Sequence, residues 1–173
     1  MVHCGLGVPA LEDIRVIKVS VSGIGFDPGS KGPVVLLKEE DGSRILPVWI
    51  GECEAIAIHI GLNGTEFQRP LTHDLLKNVI TGLGYRVKSV IIDKVEGGVF
   101  YARIVLYQGD EVIEVDARPS DALALAVRVG CAVFVEEEVM DTSSIALEDG
   151  MDPDALREYL KGIDPEDFGK FTL

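Results

Sequence analysis

Cysteine is scarce in this chain: Cys4, Cys53 and Cys131 are the only three in 173 residues, far apart and odd in number. They fit neither a disulfide framework nor a zinc-site spacing, and reduced thiols in a cytoplasmic protein are the expected state. Aromatic residues make up only 6% of the chain, too few and too scattered to suggest a platform for stacking bases. Lys and Arg nowhere form a block of the kind that marks a nucleic-acid patch. The apolar runs are short and interrupted, none near the roughly 20 residues of a spanning helix, so no membrane association is expected. Residues 1–14 lack the basic and then apolar pattern of a secretion signal. There is also no P-loop, no Gly-x-Gly-x-x-Gly after a strand, no His-Glu-x-x-His and no Gly-x-Ser-x-Gly.

What is present is apolar and acidic. Hydrophobic residues are 47% of the chain, enough for one well-filled core, and the length suits a single main domain. The net charge of −13 is unevenly spread. From Glu136 onward twelve acidic residues face three basic ones, whereas residues 1–135 hold seventeen and thirteen. The reading is a body over residues 1–139 and an acidic C-terminal extension over 140–173 with one short amphipathic helix at Asp152 to Lys161. An acidic surface repels nucleic acid, and a near-balanced body with an acidic tail does so much less.

Periodicity supplies the elements. Ile14 to Val21, Val34 to Lys38 and Arg44 to Ile50 read as strands, with a hairpin signal at Asp41-Gly42. Pro47 places the third strand at an edge or ends it. Glu52 to Leu62 reads as a buried helix, with Glu52 and Glu54 suited to its first turn. Thr72 to Leu83 repeats Leu75, Leu76, Val79, Ile80 and Leu83 at helical spacing, with Thr72 as its cap. Tyr85 to Val95, Val99 to Gln108 and Glu111 to Ala117 form an antiparallel meander. Ser120 to Val129 is apolar nearly all round, which predicts a deeply buried helix ended by Gly130. Ala132 to Val135 is a short strand and Glu136 to Asp141 a helical turn. The class is α+β, a mixed and largely antiparallel sheet against buried helices. Those helices carry more apolar surface than one small sheet covers, so a homo-oligomer is expected.

Two segments resemble each other: Arg69-Pro70-Leu71-Thr72-His73-Asp74 and Arg118-Pro119-Ser120-Asp121. Each has Arg-Pro, a hydroxyl residue and an Asp before an apolar helix, although the first has two more residues before its Asp. Proline fixes a helix start, Thr or Ser can accept an orphan amide, and a helix N-terminus with an Arg beside it attracts anions. Arg69 and Arg118 are therefore candidate phosphate ligands. His73 is a candidate proton-transfer group. Asp116 and Asp121 flank a strand-to-helix corner and are candidate ligands for Mg²⁺ or Mn²⁺, with Asp74 a further catalytic candidate. Each residue also has a structural reading. The aspartates serve equally as caps, Arg118 as a partner of Asp121 or Asp116, and Glu52 and Glu54 as dipole partners. His59 reads as a core or interface residue.

Leu46-Pro47-Val48-Trp49-Ile50-Gly51 with Glu54-Ala55, then Arg69 to Leu75, then Asp116 to Ala126 are similar to the bifunctional nuclease domain family. The resemblance covers about Ile14 to Val139. It implies a mixed α+β fold, an oligomeric protein and a nuclease acting on RNA and DNA. Two functions follow as expectations. One is a nuclease with His73, Asp74, Asp116 and Asp121 as catalytic residues, Arg69 and Arg118 on phosphate, and Mg²⁺ or Mn²⁺ on Asp116 and Asp121. The other is a non-catalytic oligomeric module holding an anionic ligand or a basic protein partner.

Overall fold

The chain's turn signals become its hairpins. In a computed structural model, which describes residues 15–27 and 32–146, Asp41-Gly42 separates β2 (Gly32–Glu39) from β3 (Arg44–Trp49). Gly97-Gly98 joins β4 (Arg86–Glu96) to β5 (Val99–Gln108). Both of these glycines have positive φ, +56° and +78°, as a tight two-residue hairpin turn requires. β6 (Glu111–Ala117) completes the expected meander. With β1 (Val16–Asp27), β7 (Ala132–Glu136) and β8 (Ile145–Ala146) these strands make one eight-stranded sheet, ordered β6-β5-β4-β7-β1-β2-β3-β8. Every neighbouring pair is antiparallel except β4 with β7. Pro47 lies opposite Leu36 on β2, and β8 covers only Arg44 and Ile45 on the other side. β3 is thus an edge at its proline.

Four helices, α1 (Glu52–Leu62), α2 (Thr72–Gly82), α3 (Pro119–Val129) and α4 (Glu137–Ser143), fill the remaining segments. The α+β class expected from the sequence is the observed one. α3 is the central helix, with Ala122 to Ala126 all at most 2% exposed. Its alanines let the backbone approach the sheet, while Leu123 and Leu125 join Val90, Ile92, Val133 and Val135 in one core cluster. Full burial contributes about 1.5–3 kcal/mol for each leucine. Gly130, in the left-handed conformation at φ +71°, donates its N–H to Ala126 O at 2.8 Å and turns the chain into β7.

Several expectations need correction. α1 is a helix, but only Ala55 and Ile58 are buried, because α3 covers just one of its faces. His59 lies on the exposed side and meets Asn63 Nδ2 through Nε2 at 2.9 Å. Of the apolar repeat on α2 only Ile80 is buried; Leu75, Val79 and Leu83 are 54%, 49% and 68% exposed. α4 runs across position 139, with Met140 fully buried, and β8 follows at Ile145–Ala146; the rest of the expected extension lies outside the described residues. The helix read at Asp152 to Lys161 lies outside the described residues.

Candidate functional site

α2 and α3 both pack on the same core, and their N-termini converge. The caps differ from expectation. Thr72 is the first residue of α2 rather than its cap, which is Leu71, and Ser120 is the second residue inside α3, whose cap is Arg118. The two Asp residues then fall at the same place, the third helical position. The two additional residues of the first segment push Arg69 out of its helix, whereas Arg118 caps its own. That offset explains their different fates.

Asp121 is the hub. Arg118 donates from Nε to Asp121 Oδ2 at 2.7 Å and from Nη2 to Oδ1 at 3.1 Å, a bidentate pair. His73 Nε2 lies 3.3 Å from the same Oδ1, across from α2. Arg118 Nη1 donates to Glu54 Oε1 on α1 at 3.1 Å. One guanidinium therefore joins α3 to α1, and Asp121 adds α2 through His73, with the Arg118 side chain still 65% exposed. Each terminal nitrogen keeps a second N–H with no protein acceptor among the described residues. Burial would raise the Asp121 carboxyl; the hydrogen bonds and charge of Arg118, with His73, outweigh it and hold the group below its usual value.

Asp74 has a different task. Its Oδ2 accepts the N–H of Leu71 at 3.0 Å, and its Oδ1 accepts Arg128 Nε at 2.8 Å. Arg128 is only 5% exposed, and its Nη1 donates to Ala124 O at 2.7 Å. Burial works to raise Asp74 as well, and these partners bring it below the ordinary range. Asp74 thus ties the start of α2 to α3.

Asp116 and Arg69 stand apart from these contacts. Asp116 lies directly opposite Arg103 in the β5–β6 ladder, so its side chain shares the face of Arg103. Ile113, Val115 and Ala117 take the core face that α3 covers. Asp116 and Asp121 both border the same cleft, Asp116 from the end of β6 and Asp121 from the start of α3. Both oxygens of Asp121 already accept hydrogen bonds. Among the described residues no three His, Cys, Asp or Glu side chains form a group able to hold a metal ion. Asp116 and Asp121 are two candidate oxygen ligands, fewer than such a group requires. Arg69 is exposed on the connection before α2 and lines neither cleft at the site.

Those clefts adjoin. One, of about 610 Å³, lies between α2 and the β5–β6 edge; the other, of about 650 Å³, lies between α1 and α2. Thr72, His73, Arg118 and Asp121 line both. Glu54 and Arg128 were not singled out as site residues from the sequence. Only the acid at the first turn of α1 hinted at Glu54, and nothing local marks Arg128, whose partner is 54 positions away.

Comparison with known proteins agrees with this geometry at the level of family. The family described as Bifunctional nuclease domain matches residues 35–148, a span that holds both helix starts and both clefts. An uncharacterised protein of Mycobacterium tuberculosis is 40% identical over 162 residues, covering 87% of this chain and 97% of the relative. Bifunctional nuclease 2 of Oryza sativa subsp. japonica is 29% identical over 144 residues, 81% of this chain but 42% of that protein. Bifunctional nuclease 1 of Arabidopsis thaliana is 28% identical over 123 residues, 69% of this chain and 36% of that protein. The chain thus spans less than half the length of either plant relative. This chain belongs to the bifunctional nuclease domain family.

Proposed function

We propose that the chain is a nuclease that hydrolyses phosphodiester bonds of RNA, DNA or both where the N-termini of α2 and α3 meet. The observation that carries this reading is the contact of His73, Asp121 and Arg118, which joins the two Arg-Pro corners at one place. His73 moves a proton to or from the reacting oxygens. Asp121 orients both His73 and the guanidinium. The spare N–H groups of Arg118 and the uncapped amides at the start of α3 face the phosphate oxygens. Asp74 positions α2 through Arg128 and does not touch substrate.

The alternative is a non-catalytic module, and one observation favours it. Arg118 faces two carboxylates, Asp121 and Glu54, so its charge is already balanced within the protein. Cleavage of labelled single-stranded RNA and DNA separates the readings. It is followed with Mg²⁺, with Mn²⁺ and with EDTA, because the carboxylates here do not by themselves define a cation site. Wild-type cleavage that falls at least tenfold in His73→Ala and in Arg118→Ala, both still folded, supports the nuclease. Equal cleavage in every sample marks a contaminant, and no cleavage in any condition leaves the module.

We further propose that the chain self-associates through Leu75, Val79 and Leu83 of the α2 region, the exposed remainder of its apolar repeat. Location in the cytoplasm is proposed on its cysteine usage. Among the described residues no helix is long and apolar enough to cross a membrane.

A further inference from the structure

We infer that the cleft between α2 and the β5–β6 edge receives one unstacked base of a single-stranded nucleic acid, with the adjoining phosphate at Arg118. This rests on the nuclease reading of the same site and names the form of its substrate.

The walls of the lobe are aliphatic. Leu76 and Ile80 of α2, Ile104 and Leu106 of β5, and Val115 and Ala117 of β6 line this lobe, and all are apolar. The polar residues, Thr72, His73, Asp116, Arg118 and Asp121, belong to the helix starts and the end of β6, so they gather at one end. A ligand that fits has an apolar body and an anionic group at one end. A nucleotide unit has that form. The space, about 610 Å³, suits one base with its sugar and is far too small for a duplex. The second lobe begins across His73 and Arg118, so a strand laid over them has one unit on each side of the phosphate.

The charge distribution points the same way. Duplex binding depends on many phosphate contacts along a basic surface. Residues 1–135, which hold the site, carry seventeen acidic and thirteen basic residues with no block of Lys and Arg. Arg118, the cation at the cleft, is already shared with two carboxylates. Binding must therefore come from short-range contact in the lobe, which only an unpaired and unstacked base can make. Removing a base from a single strand costs less than removing it from a duplex. The aliphatic walls offer no stacking partner, so little preference among bases follows.

The test is fluorescence anisotropy with the full chain and a 5′-labelled single strand of about 12 nucleotides, compared with the same sequence as a duplex. Cleavage is followed in parallel samples. The single strand is expected to bind at least tenfold more tightly, with a salt slope near one phosphate contact rather than many. Leu76 is 37% exposed, so Leu76→Glu places a carboxylate in the lobe at little risk to the fold, and Leu76→Met keeps it apolar. Leu76→Glu is expected to lose at least tenfold in single-strand affinity and Leu76→Met to keep it, with equal thermal unfolding. Equal affinity for strand and duplex, or a Leu76→Glu variant that binds like wild type, overturns the inference and leaves any cleavage standing. A single-strand preference abolished by Leu76→Glu, with no cleavage anywhere, supports the base site and overturns the nuclease reading. Binding of neither form overturns both.

Discussion

Asp121 receives hydrogen bonds from Arg118 of its own helix start and from His73 of another. Its pKa is lowered in the fold, so its contribution to stability is present above the unfolded value near 3.8 and is lost as pH falls through the lower folded value. Asp74 follows the same sign. Acid unfolding below about pH 4 should therefore be less steep in Asp121→Asn and in Asp74→Asn than in wild type, measured by circular dichroism across pH. Glu136 has the opposite sign. Burial raises its pKa against the pull of Arg103, which Asp93 and Glu114 also surround. The ionised form then destabilises the fold at neutral pH. Glu136→Gln should raise the melting temperature at pH 7, with the gain shrinking as the pH falls toward the raised value and wild-type Glu136 takes up its proton. A lower melting temperature at pH 7 would contradict this.

At the scale of elements, helix starts and helix crossings determine the site. Arg128 is nearly buried and Asp74 is its carboxylate partner, so Asp74→Ala leaves its guanidinium, among the described residues, with Ala124 O alone. A loss of about 3 kcal/mol is expected in denaturant unfolding, well above that of an exposed pair. Gly61 has another role. A methyl there would stand 2.5 Å from Val127 Cγ2, so glycine is what lets α1 cross α3 closely. Gly61→Val should cost about 1–3 kcal/mol and also weaken cleavage, since α1 carries Glu54 against Arg118. Local patterns revealed most of this layer: the meander, the buried α3 and both Arg-Pro helix starts were legible in residue spacing. The caps were not, because Leu71 caps through its backbone and Arg118 through position, and no side-chain preference marks either. Asp116 shows the other limit. Its register opposite Arg103 gives its side chain the face of that residue, which nearness to Asp121 in sequence does not reveal.

For the whole molecule, many of the exposed large apolar side chains among the described residues lie between Ile56 on α1 and Leu83 at the end of α2, 60% and 68% exposed, with others such as Phe26 and Val99 on the strands. Multi-angle light scattering should give more than one protomer, and Leu75→Glu with Leu83→Glu should shift it toward one without lowering the melting temperature. Joining the two helix starts into one site is a property of the tertiary fold, since 48 residues separate His73 from Asp121. Similarity between the two segments could suggest a pair but not their contact. That contact is the central claim, and a double-mutant cycle on kcat/KM tests it most directly, using His73→Ala, Asp121→Asn and the combined variant on single-stranded RNA. If the two residues work as one unit, the double variant is no slower than the worse single variant, a coupling of about 1–3 kcal/mol. If the two losses multiply, His73 and Asp121 act independently, and the two corners are separate structures that happen to touch.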